Sequence, residues 1–320
     1  MIQGEPLQVS VVIGVRNGGE HLLHTVRSVC EQEGVVLECI VVDDGSSDGS
    51  ANRVAALACA DRRIRLIHQR AAGLTRALIT GCAEARAPLI ARIDVGDQML
   101  PGRLARQCAL LREHAWIQVL GSLFRELGPG GEHLADSAVE HHGRITDLSE
   151  QQRSARAASL VGIAHFCVCF RTDTYRRCGG YRWQFALAQD VDLWARMAQF
   201  GGVARLEEVL TLSRLAVNGL SPRHHRVQLS LREIATAAVT ARACGGDERP
   251  LLKRAYREST MALNCGGEQA DAAYYVASRL AHAGHGQAAM RLYRRALQDR
   301  PANLRHVFAW LRACLRQGMR

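Results

Sequence analysis

Short apolar segments that alternate with helical segments constrain the fold of this 320-residue chain more than any other feature. Strands are predicted at residues 7–15, 35–42, 64–68 and 89–93, where apolar and β-branched residues form runs too short for helices. Between these runs, apolar residues recur at the spacing of amphipathic helices. Because this alternation is typical of parallel strands joined by right-handed crossovers, we predict an α/β fold with a mostly parallel sheet sandwiched by helices.

Carboxylates follow two of the predicted strands at the points where those strands end. Asp43 and Asp44 follow the second strand, and Asp94 and Asp97, with Gly96 between them, follow the fourth. Ligands bind where the strands of a parallel sheet end, and two such acids can hold a hard divalent cation that neutralises a phosphate. A solvated Asp-Gly turn accounts for the same residues. The sequence alone leaves both interpretations open.

The two common glycine-rich phosphate loops are absent from the sequence. No Gly-x-Gly-x-x-Gly pattern follows the first strand, and no Walker-type loop occurs. A dehydrogenase-like dinucleotide fold is therefore disfavoured. The pattern predicts a nucleotide site formed by carboxylates and a metal.

The formal net charge of +10 excludes few classes of partner. Nearly all of the basic residues are arginines, since Lys253 is the single lysine. The arginines are scattered along the chain, which is typical of a solvated surface. Aromatic residues make up 5% of the chain, too few to indicate stacking on bases, so nucleic-acid binding is disfavoured. An anionic substrate or the negative face of a membrane fits the charge equally well.

The cysteine content predicts a reducing compartment. Eleven cysteines are present, and several lie within apolar runs, where they resemble small buried hydrophobic residues. No leader pattern and no segment of membrane-spanning length is recognised. We expect a cytoplasmic protein, with peripheral contact at the inner face of the plasma membrane left open.

A polar stretch and a second apolar run follow the first half of the chain. Residues 128–149 are predicted to form a surface excursion, in which His133, His141 and His142 are interpreted as solvated rather than as metal ligands. Residues 157–170 are apolar, with a strand predicted at 167–170.

A helix is predicted at residues 190–200, with Asp190 in its first turn. An acid at this position interacts favourably with the helix dipole and the free amide groups, which explains its presence without any function. A functional role requires Asp190 to face the same site as the other acids.

Taken together, five blocks of the sequence resemble the family 2 glycosyltransferases, which are inverting enzymes with the GT-A fold. The blocks are residues 9–13 with 17–18, 41–48, 92–97 with 100–101 and 103–104, 179–181, and 189–194. The resemblance covers about residues 7–222, and the order and spacing of the blocks make it more specific than any one of them. It implies a nucleotide-diphosphate sugar donor, with a UDP-sugar favoured, a divalent metal, Mn2+ or Mg2+, and transfer with inversion.

The resemblance also implies roles for individual residues. Asp190 matches the general base, and Asp94 matches the first acid of the family's metal-binding motif, with Asp97 as a second metal ligand. The residues matched to donor binding are Val15, Asn17, Asp43, Asp44, Arg76, Asp94 and Arg214. The residues matched to the acceptor side are His165, Gln189 and Trp194.

Three positions depart from the family pattern: Gly14 replaces a proline, Gly96 replaces an acid and Asn218 replaces a late histidine. Because Gly96 removes a carboxylate, a metal must be held by Asp94 and Asp97 or be bound weakly.

The alternating pattern ends near residue 226, which predicts a catalytic domain at residues 1–226 and an α-helical region at 227–320. Residues 270–303 of this region resemble one tetratricopeptide-like repeat. A single repeat cannot bury its own apolar face, so a helical buttress is favoured over a docking surface for a membrane or a protein partner.

The sequence therefore favours an inverting glycosyltransferase that builds a cell-surface polysaccharide or glycan on a glycan or lipid-linked acceptor. A sugar nucleotidyltransferase is disfavoured, because the loop after the first strand lacks a glycine-rich, lysine-containing opening. A degenerate GT-A protein that acts as a scaffold through its helical tail is the alternative, and Gly96 is the feature that favours it.

Overall fold

A mixed sheet with helices on both faces forms the core of the protein. The computed structural model describes residues 6–137, 163–217, 219–264, 269–301 and 304–316. The strands described in these ranges are β1 (Val9–Val15), β2 (Leu37–Asp43), β3 (Ile64–His68), β4 (Leu89–Arg92), β5 (Gln98–Met99), β6 (Ile117–Leu127), β7 (His133–Asp136), β8 (Cys169–Arg171) and β9 (Gly202–Arg214). The helices described there are α1 (Gly19–Cys30), α2 (Ser50–Ala60), α3 (Leu74–Ala83), α4 (Arg103–Glu113), α5 (Thr172–Arg177), α6 (Gln189–Met197), α7 (Leu220–Ala243), α8 (Arg249–Asn264), α9 (Gln269–His282), α10 (Gly286–Asp299) and α11 (Leu304–Arg316).

The sheet combines a parallel part with a mixed part. Its strands follow the order β3-β2-β1-β4-β8-β6-β9-β5, and β7 pairs with β6. Strands β1 to β4 are parallel, as the alternation of strands and helices predicts. Strand β8 is antiparallel to β4 and to β6, whereas β9 runs parallel to β6. The predicted α/β sheet between helices is thus confirmed, with antiparallel strands in its second part.

Alternate residues of the central strands face two different apolar layers. Val11 packs in the layer covered by α1, α2 and α4, whereas Val12 packs in the layer covered by α3, α5 and α6. Strands β1, β2 and β4 are buried along their whole length. This explains their continuous apolar sequences, because a strand covered on both faces has no solvent side.

Strand register brings the two predicted acid clusters to one edge of the sheet. Val15 pairs with Asp43 at the ends of β1 and β2. Val12 pairs with Arg92 at the end of β4, two residues before Asp94. Both clusters therefore lie at the carboxyl edge of the parallel strands, as expected.

One local prediction is wrong in detail, and a second one gains a strand. The predicted strand at 167–170 begins later, because His165–Cys167 forms a 3₁₀ turn and β8 begins at Cys169. The predicted surface excursion at 128–149 contains β7, whose backbone pairs antiparallel with β6. Residues 138–162, including His141 and His142, lie outside the described residues.

The C-terminal region is helical and packs on the catalytic part at two places. Helix α7 crosses the predicted boundary at residue 226, and its backbone is non-helical at His224. Leu231 of α7 and Ala255 of α8 share an apolar cluster with Val191 of α6. Leu134 of β7 shares another cluster with α9, α10 and α11. No helix in the described ranges combines the length and the apolar character needed to cross a membrane.

Helices α9 and α10 coincide with the predicted tetratricopeptide-like repeat. Gly284, in the turn between them, has a φ of +86°, which favours glycine. Four small and aromatic residues of these helices are buried: Ala277, Ala289, Tyr293 and Ala296. The assignment to that repeat family stays a prediction.

Candidate active site

Asn17 connects the loops after β1 and β2 through its backbone and its side chain. The Asn17 N–H donates to Ser46 Oγ (2.9 Å), and the Ser47 N–H donates to Asn17 Oδ1 (2.8 Å). Asn17 has a φ of +58°, a conformation that asparagine adopts more readily than most residues. Asp43 Oδ1 accepts from the Ser46 N–H (3.2 Å), and His68 Nδ1 lies 3.5 Å from Asp43 Oδ2. The loops therefore form one connected wall at the sheet edge.

Asp44 holds the loop that leads into α3. Its Oδ1 accepts from Gln69 Nε2 (2.7 Å) and from the Ala72 N–H (2.8 Å), and its Oδ2 accepts from the Gly73 N–H (2.8 Å). The residue is only 2% exposed. The Asp44 N–H in turn donates to the carbonyl of Val15 (2.8 Å), whose side chain is buried. Both oxygens of this predicted donor-binding residue are thus engaged within the protein.

Asp94 and Asp97 follow β4 but lie in different surroundings. The Asp94 side chain is 38% exposed and forms an ion pair with Arg92, which is fully buried. Asp97 is buried and accepts hydrogen bonds from the backbone N–H of Arg214 (2.9 Å) and from the Ser213 side chain. Burial, together with the negative charge of Asp94, raises the pKa of Asp97 well above its usual range.

A site for a hard divalent cation at these two carboxylates stays a prediction. The charge of Asp94 disfavours ionisation of Asp97, so a cation held between them would relieve this repulsion. The described residues contain no group of three or more His, Cys, Asp or Glu side chains that could hold a metal. A metal here would need phosphate or water oxygens to complete its shell, as is usual for Mg2+. Gly96 has a φ of +100° with open space around its missing Cβ, so the loop itself leaves room beside the acids.

A buried network behind Asp94 connects it to His165. Arg92 Nη1 donates to the Ile93 carbonyl (2.6 Å), and Arg92 Nε lies 3.4 Å from His165 Nε2. His165 Nε2 lies 2.7 Å from the Tyr181 hydroxyl. Burial and the charge of Arg92 lower the pKa of His165 well below its usual range, so the ring is neutral near pH 7. His165 also packs edge-on against Trp194 (6.0 Å between ring centroids).

Two buried arginines that support this network carried no predicted role. Arg103 Nη2 donates to the carbonyl of Arg92 (2.7 Å), and Arg103 Nη1 donates to Thr211 Oγ1 (3.1 Å). Burial lowers the pKa of Arg103 to about 10, which leaves the guanidinium charged at neutral pH. The available signal was the position of Arg92 inside an apolar strand, where a charged residue is rare unless it is paired.

Asp190 lies in the first turn of α6, two residues after a strained residue. Ala188, which precedes the helix, has a φ of +57°, which is uncommon for a residue with a side chain. Asp190 keeps partial solvent contact, yet desolvation by surrounding protein raises its pKa. The charge of Arg232 in the helical tail opposes this shift, whereas the charge of Asp94 adds to it. Asp190 therefore lies in a recess within electrostatic reach of Asp94.

The other residues of α6 that carry a predicted role are largely buried. Gln189 and Trp194 are both buried, and Trp194 Nε1 has no hydrogen-bond partner among the described residues. The helix is fixed internally by the buried pair of Asp192 and Arg196, whose Oδ2 and Nη2 atoms are 2.7 Å apart. The predicted acceptor-side residues His165 and Trp194 are thus brought together.

The two predicted donor-binding cations, Arg76 and Arg214, lie on different elements. The Arg76 guanidinium lies over the Trp183 ring (5.3 Å to the centroid), at the first turn of α3. Arg214 is partly buried at the end of β9, and its Nη1 donates to the Pro129 carbonyl (3.1 Å). Asn218, which departs from the family pattern, lies outside the described residues.

This arrangement can perform two chemical tasks. A carboxylate with a raised pKa, such as Asp190, can accept a proton from a hydroxyl group near neutral pH. The acids and amide groups at the sheet edge can hold a charged group and a cation beside it.

Comparisons with known proteins identify the family of the chain. Residues 10–176 match the model of glycosyl transferase family 2, which is more than half of the chain. The chain is 30% identical over 202 residues to EpsE of Bacillus subtilis, a protein named as a glycosyltransferase, covering 61% of this chain and 68% of that protein. It is 26% identical over 259 residues to the succinoglycan biosynthesis protein ExoU of Rhizobium meliloti, covering 75% of this chain and 72% of that protein.

A solved structure shares the fold of the chain. It is the mannosyltransferase PcManGT from Pyrobaculum calidifontis in complex with GDP-Man and Mn2+, with a TM-score of 0.55 and 17% identity over 98% of this chain and 87% of that one. This likeness extends through the helical tail. The chain therefore belongs to glycosyl transferase family 2, and it is a glycosyltransferase with the GT-A fold.

Proposed function

We propose that the protein transfers a sugar from a nucleotide-diphosphate donor to a hydroxyl group of an acceptor, with inversion at the anomeric carbon and Asp190 as general base. The observation that carries this proposal is the setting of Asp190. Its carboxyl has a raised pKa, keeps solvent contact and interacts electrostatically with Asp94 at the sheet edge. A base at Asp190 can act on the acceptor hydroxyl, while a donor bound near Asp94 presents the anomeric carbon to which the hydroxyl oxygen forms its bond.

The proposed reaction is a single displacement. Asp190 accepts the proton of the acceptor hydroxyl as the oxygen forms a bond to the anomeric carbon. The bond from that carbon to the diphosphate oxygen breaks at the same time, and its electron pair leaves with the nucleoside diphosphate. Inversion follows from one displacement, without a covalent enzyme intermediate.

The donor is proposed to lie along the wall formed by the loops after β1, β2 and β4. Asp43, Asn17 and the backbone of Val15 would border the nucleoside, and Arg76 and Arg214 would face the phosphates with positive charge. Asp94 and Asp97 would hold Mn2+ or Mg2+, whose charge neutralises the diphosphate when the ion is bound. The neighbour with GDP-Man and Mn2+ supports this class of donor and cofactor, and we favour a UDP-sugar on the family resemblance alone.

The acceptor is proposed to be a glycan or a lipid-linked glycan in the biosynthesis of a cell-surface polysaccharide. The name of the succinoglycan biosynthesis relative supports this class of pathway. A cytoplasmic location, with contact at the inner face of the plasma membrane or with a protein through the helical tail, belongs to the same proposal. No nucleic-acid partner is proposed.

Calorimetric titration of the purified protein with UDP-, GDP- and dTDP-sugars, each with and without Mn2+, tests this proposal. We expect one donor class to bind and its affinity to fall when EDTA removes the metal. Without the cation, the negative charge of the diphosphate lies next to Asp94 and Asp97 and is repelled by them. Asp94→Asn should weaken the Mn2+ dependence, whereas Asp247→Asn, in the exposed pair with Arg249, should preserve it. Absence of any donor binding by the folded protein would favour the degenerate scaffold instead.

The pH dependence of transfer tests the assignment of the base. Because the pKa of Asp190 is raised, we expect activity to fall with decreasing pH along a limb that lies above the usual range for aspartate. Arg232→Gln removes a charge that favours the carboxylate, so the limb should move to higher pH. Arg249→Gln, a tail arginine that is 82% exposed, serves as the control and should leave the limb in place.

A further inference from the structure

An exposed aromatic pair joins the catalytic part to the helical tail. Trp183 lies in the segment between α5 and α6 and is 44% exposed, and Tyr256 lies on α8 and is 48% exposed. Their ring centroids are 5.1 Å apart with an interplanar angle of 74°. Large aromatic side chains that remain exposed next to one another form an apolar surface that a ligand can cover.

This pair is continuous with the proposed donor site. The Arg76 guanidinium lies 5.3 Å from the centroid of the Trp183 ring. Arg76 follows Gly73 by three residues, and the Gly73 N–H donates to Asp44 at the sheet edge. The aromatic surface therefore begins where the donor wall ends, and it extends to the tail.

The segment that carries Trp183 is held in place on both sides. Thr75 Oγ1 donates to the Phe185 carbonyl (2.9 Å), and the Ala186 N–H donates to Ser259 Oγ on α8 (3.3 Å). Arg182 Nη1 donates to Glu248 Oε2 (3.0 Å). The Phe185 side chain is fully buried. Since the backbone on either side of Trp183 is anchored, the exposure of its ring is a property of a fixed surface, and fixed aromatic surfaces bind with little loss of conformational entropy.

We propose that Trp183 and Tyr256 form an acceptor subsite that stacks against one sugar ring of a glycan, with the Arg76 guanidinium over one face of the Trp183 ring. This inference rests on the proposed function, because it assigns the acceptor class for the same reaction. A pyranose ring presents an apolar face of C–H groups that complements the negative face of an aromatic ring. The hydroxyl groups at its rim can accept hydrogen bonds from the Arg76 guanidinium. The segment that carries Trp183 continues through Ala188 to Asp190, so the chain connects the subsite directly to the proposed base.

The subsite also gives the helical tail a part in binding the acceptor. Tyr256 belongs to the tail, whereas Trp183 belongs to the segment before α6, so the complete surface requires both parts of the chain.

The test titrates the full-length protein, saturated with the nucleoside diphosphate of the donor that binds, with cellotetraose, mannotetraose and tetragalacturonate. We expect at least one tetrasaccharide to bind, and Trp183→Ala or Tyr256→Ala to weaken its binding about tenfold, while Trp183→Phe weakens it less. Phe308→Ala removes another exposed aromatic ring of the tail, on α11, and should change nothing. Nucleotide affinity and the thermal midpoint should match those of the wild type in every variant.

Three outcomes would overturn the subsite. In the first, no tetrasaccharide binds to wild-type protein that does bind the nucleotide. In the second, the Trp183 and Tyr256 variants bind sugar as the wild type does. In the third, the Trp183 variants lose nucleotide affinity, which would assign the ring to the donor site, or they lose thermal stability, which would assign it to packing. Failure of the nucleotide itself to bind would refute the proposed function, so the two failures are distinguishable.

Discussion

Replacing Asp190 with asparagine is expected to lower the rate of sugar transfer by about 10²- to 10⁴-fold, the usual contribution of a general base. Asparagine keeps the size of the side chain and its place in the first turn of α6, but it cannot accept the proton of the acceptor hydroxyl. The rate is measured with saturating donor and acceptor, and donor affinity is measured separately by calorimetry. We expect donor affinity to remain near that of the wild type.

The matched control for this experiment is Asp173→Asn. Asp173 is also an acid in the first turn of a helix, α5, and it is exposed. Both substitutions remove a favourable interaction with a helix dipole, which contributes about 0.3–1 kcal/mol to stability. If transfer falls equally in both variants, the effect comes from helix stability. If Asp190→Asn abolishes donor binding, the carboxyl belongs to the donor site and the assignment as base is wrong.

The fold and the location of the site could be predicted because both follow from short-range patterns. Continuous apolar runs such as residues 9–15 indicate strands that are covered on both faces. Alternation with helices makes these strands parallel, and parallel strands end at the same edge. The positions of Asp43 and Asp94 at one edge therefore follow from the sequence without knowledge of any side-chain contact.

The network around Arg92 could not be predicted, because its members are distant in sequence. Arg92 and His165 are separated by 73 residues, and their contact depends on how β8 and its preceding turn pack beside β4. Periodicity indicates which face of an element is apolar, but it does not indicate which side chains from other elements meet there. The neutral state of His165 is a consequence of this burial, and it opposes a role as a cation near an acceptor.

The part played by the tail was also hidden from the sequence. Arg232 influences the pKa of Asp190, and Glu248 forms an ion pair with Arg182 in the segment before α6. These contacts join residues on either side of the predicted boundary at 226. A boundary drawn from a change in pattern marks a change in architecture, but the two regions can still share one site.

Replacing Asp44 with asparagine is expected to lower the free energy of unfolding by about 1–3 kcal/mol, the cost of one buried donor left without a partner. The carboxylate accepts three hydrogen bonds, from Gln69, Ala72 and Gly73. Asparagine offers one acceptor oxygen and turns its own NH2 group toward at least one of these donors. Urea unfolding monitored by circular dichroism measures the loss.

The control for Asp44 is Asp136→Asn, because Asp136 has a similar number of partners in an exposed setting. Its oxygens accept from Arg125 Nε (2.7 Å) and Nη2 (2.9 Å) and lie 3.0 Å from His133 Nε2. Exposed pairs contribute about 0–1 kcal/mol, so Asp136→Asn should change stability little. Donor affinity should fall only for Asp44→Asn, because the loop that leads into α3, the helix that carries Arg76, then loses its anchor. A loss of donor affinity at unchanged stability would instead mean that Asp44 contacts the donor directly, as the family resemblance implies.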